Sequence, residues 1–378
     1  MASSNSPHRR NFLIGSAAAL AVSGSLAGRE RELRTALIGV GNRGTAHVNR
    51  VLQQTDVRVA AICDTDPNAR DRAQGLAKRD SPRSYTDYRE VLDLKDVDAV
   101  VIATPCDLHA PMAVAALEAG KHVYCEKPLG VTPEQVSTVL RAAAKAKTLL
   151  QVGQQLRYIP ALREMVRLIQ TEGVAGTPFV IKAQRHATPP APGTDRVRPS
   201  WYLDAKRSGD LIVENAVHNL DICNWVAASR PVSAYGHGKR YLPQPVPAGS
   251  LMMDGFSVEY IYENDMHLDY SQLYLHARGL KELANGQFYI VFGDKGSVNL
   301  TKGLLYEMQG GEPKELLTQA VKDAKENAME DFHSCIRENR QPFADVKVGA
   351  TAALTAILGR EAIYRRKSVD WSELGVTI

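Results

Sequence analysis

Glu214, His218 and Asp221 stand at i, i+4 and i+7 in an otherwise apolar stretch. On a helix that spacing places all three on one narrow stripe. The rest of the stretch, Leu211, Ile212, Val213, Ala216, Val217, Leu220, Ile222, Trp225 and Val226, is apolar nearly all round, so the helix is expected to be buried. Buried ionisable groups are costly unless paired or turned toward a wet cavity. The stripe is therefore either an internal hydrogen-bonded network or the wall of a site. A histidine beside a carboxylate also has the composition of a general base and its orienter. No third ligand accompanies His218 and Asp221, so no metal is expected.

A second constellation lies near the start. Gly39-Val40-Gly41-Asn42-Arg43-Gly44 follows the apolar run Thr35–Ile38 and opens a helical stretch from Thr45 to Gln53. Gly39, Gly41 and Gly44 let a backbone turn tightly and approach a pyrophosphate held on the helix N-terminal amides of Asn42 and Arg43. Asp64 closes the next strand, where a carboxylate binds ribose hydroxyls and repels a 2′-phosphate. NAD is expected over NADP, with Arg70 near enough in sequence to soften the preference.

The elements that must position these groups alternate. Strands 57–63, 99–103, 121–125 and 148–152 are separated by helices around 68–78, 109–119 and 133–146, which describes a doubly wound parallel sheet. Ligands of such sheets gather beyond the strands' carboxyl ends, here Thr104-Pro105 with His109, Glu126-Lys127, and Gln154–Tyr158 including Arg157. After Gln151 the pattern changes to one helix, 160–171, and extended stretches at 178–185, 232–238, 256–262, 267–274, 287–293 and 297–300. These fit a large, mostly antiparallel open sheet, interrupted by the helix 208–227. A last helix, 346–365, is expected to pack back on the first domain. Trp201 and Tyr202 flank a proline-rich segment, 188–199, expected to act as a lid or loop, and could stack on a sugar face.

Ala103-Thr104-Pro105, His109 and the run Ala119-Gly120-Lys121-His122-Val123-Tyr124-Cys125-Glu126-Lys127-Pro128, with the glycine loop and Asp64, resemble the Gfo/Idh/MocA oxidoreductases over about residues 35–370. The resemblance implies a Rossmann domain at 34–155, an α/β substrate and oligomerisation domain at 156–345, and a C-terminal helix and tail at 346–378. The group's second motif, D-x-G-x-H-x-x-D, is matched by Glu214 to Asp221, with Glu and Ala replacing its first Asp and its Gly. Carried over residue by residue, His218 would take a hydroxyl proton, Lys127 would stabilise the alkoxide, and Glu214 would orient His218 or bind a neighbouring hydroxyl. Thr104, Pro105, His109, Glu126 and Lys127 would line the cofactor. Arg157, Tyr158, Trp201, Tyr202 and Asp221 would face a sugar or glycoside. The open sheet would make a homodimer or homotetramer. Two other readings stay open: a redox-neutral NAD-dependent glycosidase, with Tyr158, His109 or Glu214 as its second base, and a non-catalytic sugar-binding protein that keeps NAD.

Composition agrees with a globular protein. The 378 residues are 44% hydrophobic and 23% charged, with a net charge of +4, which is no nucleic-acid footprint. Five cysteines form no CxxC and are expected to be small buried hydrophobes. Arg9-Arg10-Asn11-Phe12-Leu13 and the mildly apolar run to Ala27 form a twin-arginine leader, residues 1–27, with small residues before Gly28. It predicts export to the periplasm by the twin-arginine machinery with the cofactor already bound, and no stable membrane insertion after cleavage.

Overall fold

The computed structural model describes residues 31–187, 199–241, 253–274 and 286–378. The expected leader and nearly all of the proline-rich segment lie outside them. Two sheets organise the described residues. The first holds β1 (Leu33–Ile38), β2 (Val57–Cys63), β3 (Arg83–Tyr85), β4 (Ala99–Ile102), β5 (His122–Cys125) and β6 (Leu150–Val152) in the order β3-β2-β1-β4-β5-β6. Every pairing is parallel. The order reverses between β1 and β4, which is where an open α/β sheet leaves a crevice. Apolar runs such as Ala99-Val100-Val101-Ile102 are wholly buried, as strands covered on both faces must be.

The second sheet contains β7 (Pro178–His186), β8 (Pro231–Lys239), β9 (Gly255–Tyr262), β10 (His267–Leu273), β11 (Gly286–Gly293), β12 (Gly296–Asn299), β13 (Leu304–Glu307), β14 (Lys314–Glu315) and β15 (Val369–Asp370). Their order is β14-β13-β12-β11-β7-β10-β9-β8-β15. Only β7 and β10 run parallel; the other pairs are antiparallel. Strict alternation in β9, with Phe256, Val258, Tyr260 and Tyr262 buried and Ser257, Glu259 and Ile261 exposed, gives this sheet one covered and one open face.

The helix Val217–Ala227 and the C-terminal helix Val346–Arg365 pack together on the covered face. The C-terminal helix also reaches the helix Pro133–Lys145 and β6, so it touches both halves, and one apolar core runs through both sheets. The helix Ala328–Glu338 has no counterpart among the sequence expectations. It packs against the helix Asn42–Leu52; Met329 and Phe332 join the core around β1, and His333 Nε2 meets Thr35 Oγ1 at 3.0 Å. Residues 328–338, assigned above to the second domain, thus pack with the first. All five cysteines are buried and free.

Candidate active site

The glycine loop is shaped by close approach. Gly39 has φ +83°, and a Cβ there would meet the Ala103 carbonyl oxygen at 2.7 Å. A Cβ on Gly44 would meet the Gly39 carbonyl oxygen at 1.9 Å, so only glycine fits where helix and strand cross. A Cβ on Gly41 would meet nothing within 4 Å. The helix Asn42–Leu52 begins there with no side-chain cap on its first amides, and unpaired N–H groups of this kind suit phosphate oxygens. The loop opens onto a cavity of about 1260 Å³. Asp64 lines the same cavity. Its Oδ2 accepts from Val40 N at 2.7 Å and its Oδ1 from Asp66 N at 2.9 Å, so the carboxylate braces the loop and keeps lone pairs for ribose hydroxyls. Arg70 donates to the Asp64 backbone carbonyl at 2.6 Å. These residues fit a dinucleotide.

Arg43, Thr104, Pro105, Glu126, Lys127, Trp201, Tyr202 and Glu214 also line this cavity. Glu126 is the buried hub of its floor. Its Oε1 takes Arg43 Nε at 2.6 Å and His47 Nε2 at 2.8 Å. Burial opposes that charge, but Arg43 and His47 hold the carboxyl well below its ordinary range. Arg43 also bonds the Gln155 side chain. His47 and Gln155 were not anticipated as members of this network. The signal for His47 is its place on the buried face of the helix, with Gly44, Val48 and Val51.

Lys127 reaches across the cavity to the second half. Its Nζ donates to the Glu214 backbone oxygen at 2.6 Å and to Glu214 Oε1 at 3.0 Å. Burial works against the ammonium, but the Glu214 charge raises its pKa above the ordinary lysine value. The Glu214 carbonyl is available because residues Ile212–Ala216 form a π turn, a rare feature that frequently marks functional sites. The turn follows Gly209 and Asp210, both at positive φ, so the expected helix 208–227 is broken at its start. Asp210 pins that start: its carboxylate accepts from Leu211 N at 2.7 Å and from Met253 N at 2.6 Å.

The expected stripe is split. Glu214 turns to Lys127, and Asp221 forms a bidentate pair with Arg157, Nε to Oδ2 at 2.7 Å and Nη2 to Oδ1 at 2.9 Å. His218 lies between them with its Nδ1 buried and unpartnered. Glu214 therefore does not orient His218. Burial, then the Lys127 charge, push the His218 pKa well below its ordinary value, so the imidazole is neutral at pH 7.

Three expected substrate-facing residues are corrected. Arg157 and Asp221 satisfy each other in the interior, with the guanidinium also over the Trp225 ring at 5.1 Å; a buried ion pair of this geometry leaves neither charge for substrate. Tyr158 is buried, and its hydroxyl accepts from Ala344 N at 3.1 Å, in the seam with the C-terminal segment. His109 lies at the cavity wall, but its ring nitrogens face the Pro128 and Thr104 carbonyls at 2.8 and 2.9 Å. It ties two site loops together and offers no free ring atom to a cofactor.

A family model described as an oxidoreductase family with an NAD-binding Rossmann fold, GFO_IDH_MocA, matches residues 33–154. The GFO/IDH/MocA C-terminal domain model matches residues 161–299. An inositol 2-dehydrogenase of Saccharopolyspora erythraea is 34% identical over 204 residues, 53% of this chain and 56% of that protein. An alpha-N-acetylgalactosaminidase of Shewanella oneidensis is 36% identical over 144 residues, 36% of this chain and 31% of that protein. The chain spans about half the length of the first curated relatives it matches. An oxidoreductase domain protein from Kribbella flavida shares the fold with a TM-score of 0.77 at 23% identity, covering 90% of this chain and 99% of that one. The glycine loop, the Asp64 brace and the Glu126-Lys127 floor all lie within the first of two consecutive matches to one family, and the chain belongs to the Gfo/Idh/MocA oxidoreductases, with an NAD-binding Rossmann domain at residues 33–154.

Proposed function

We propose that the protein oxidises a carbinol of a sugar or sugar derivative, with Lys127 and His218 as its catalytic residues. The observation that carries this is the fixed ammonium of Lys127. Glu214 accepts two of its N–H groups and a lysine has three, so one donor is left at the cavity wall for a substrate oxygen. Bound NAD supplies a hydride acceptor. Lys127 donates to the oxygen and stabilises the alkoxide charge that develops there. His218 takes the hydroxyl proton; with Nδ1 sealed, Nε2 is the atom that receives it. Its depressed pKa keeps it unprotonated and ready as a base. Trp201 and Tyr202, in T-shaped contact at 5.8 Å, offer apolar faces to the substrate.

A redox-neutral glycosidase would need a second base. Of the three candidates, Tyr158 and His109 are engaged as described, and Glu214 is paired with Lys127. One experiment separates the readings: umbelliferyl glycosides are added to protein carrying its own cofactor, and bound NADH and released umbelliferone are followed together. One equivalent of NADH without fluorophore supports the oxidoreductase. Many turnovers of fluorophore without net NADH would replace it by the glycosidase. NAD that no sugar or glycoside reduces would favour a binding protein. The twin-arginine leader adds that the cofactor is loaded before export; N-terminal sequencing of the native protein should begin at Gly28, and an intact leader would contradict this.

A further inference from the structure

The inner face of the second sheet carries a charge that the reaction above does not use. Arg185 lies on β7 with the parity of Ile181 and Ala183, both buried on the covered face. The register sets it beside Gln272 of β10 and Gln287 of β11. This polar row is tied to the helix that bears the site. Gln272 Nε2 donates to Asn215 Oδ1 at 3.0 Å. Gln287 Nε2 donates to the Tyr289 hydroxyl at 2.5 Å, and Asn219 Nδ2 donates to the same hydroxyl at 2.7 Å. Asn215 and Asn219 directly follow Glu214 and His218.

Arg185 is half-buried and has neither a hydrogen bond nor an ion pair among the described residues. Of the guanidiniums that line the cavity, Arg43 is paired with Glu126, Arg89 with Asp87 and Arg207 with Asp107, while Arg72 is exposed on the helix that follows Asp64; Arg157 in the interior is paired with Asp221. A half-buried cation held among amides without an anion is poorly compensated until one arrives. The charged groups around His218 also lean positive: Lys127, Arg185 and Arg43 stand against Glu126 and Glu214, and Arg185 is among the charges that depress the His218 pKa.

We propose that Arg185 binds a carboxylate of the substrate, so that the preferred substrate is a polyhydroxy acid, a sugar acid, and not a neutral sugar. This rests on the oxidoreductase reading. A planar guanidinium matches a carboxylate through two parallel N–H···O bonds, and Arg185 is the uncommitted guanidinium on the sheet face beside the helix of His218. Arg185 is then a specificity residue on β7, the strand against which the helix of His218 packs.

The test uses holoenzyme and three probes of one sugar skeleton: glucose, glucuronate and glucose 6-phosphate. Calorimetric binding is measured beside NAD reduction. Wild type should bind glucuronate more tightly than the other two. In Arg185→Gln the ratio of glucuronate to glucose affinity should fall about 100-fold, the scale of a charge-assisted pair, and Arg185→Lys should restore part of it. Because Arg185 opposes protonation of His218, the acid limb of the kcat profile should also move to higher pH in Arg185→Gln. Equal binding of glucose and glucuronate by wild type, a preference for the phosphate, or an unchanged ratio in a folded Arg185→Gln protein would each overturn the proposal. Glucuronate binding that depends on Arg185 without any NAD reduction would keep the carboxylate site and sink the reaction; NAD reduction by glucose with no such dependence would do the reverse.

Discussion

Lys127 is charged because Glu214 keeps it so, and this coupling can be read in a pH profile. A lysine that must be protonated loses function as pH rises through its pKa. Glu214 raises that pKa, so Glu214→Gln should bring the basic limb of kcat to lower pH. An unmoved limb would mean that Lys127 is not the titrating acid. Lys127→Met should lower kcat about 10²- to 10³-fold, as loss of one preorganised donor does. His218 titrates on the other side. Its pKa lies well below 6.5, so the base form is full at pH 7 and the acid limb should begin below 6.5. His218→Ala should retain NAD and reduce hydride transfer about 10²- to 10⁴-fold; single-turnover NADH formation at the wild-type rate would remove His218 from the mechanism. That the glycine loop, Asp64, Glu126, Lys127 and Glu214 gather at one cavity was legible in the sequence, because loop geometry and motif order place them. Their partners were not. Which cation Asp221 meets depends on the path of the chain 64 residues upstream, and no local spacing encodes it.

At the scale of elements, the informative departure is the π turn at Ile212–Ala216. A strict helical repeat makes Glu214, His218 and Asp221 one stripe. The turn inserts an extra residue into the repeat, and the three side chains find different fates. Periodicity could not show this, because the residues of a π turn have the same composition as the helix around them. Strands β3, β13, β14 and β15 were missed for a simpler reason: at three, four, two and two residues they are too short to display an alternation. The site helix is held in register by the Arg157–Asp221 pair at its centre. Asp221→Asn leaves a buried guanidinium uncompensated and should destabilise the protein by about 3–5 kcal/mol. The double change to Arg157→Met with Asp221→Leu should recover much of that loss in thermal melts. A single Asp221→Asn that melts with wild type would show the pair to be dispensable.

The whole molecule presents an open sheet face with more apolar surface than a solvated one needs. In register across it run Tyr306, Ser297, Phe292, Val180, His267, Ile261 and Ser233, with Tyr306 39% and Ile261 41% exposed. Tyr235, one row away, is 56% exposed. Rows of this kind mark association surfaces, and we expect a homo-oligomer joined through this face. Light scattering should give a mass at least twice that of the single chain, whose given sequence weighs 41.4 kDa, and Ile261→Glu with Tyr306→Lys should yield monomers. A monomeric wild type would refute the interface.

The helix Ala328–Glu338 carries a consequence for biosynthesis. It closes the apolar floor beneath β1, although nearly 300 residues separate the two in the chain: His333 meets Thr35 across 298 positions and Gln151 bonds the Ala328 carbonyl across 177. The nucleotide half is the first to leave the ribosome and the last to be finished. Nascent chains stalled before residue 328 should be cut readily by protease within residues 34–155 and should not retain NAD, whereas chains with the helix Ala328–Glu338 clear of the ribosome should resist and retain it. Cofactor loading becomes a signal that this late helix has been made and docked.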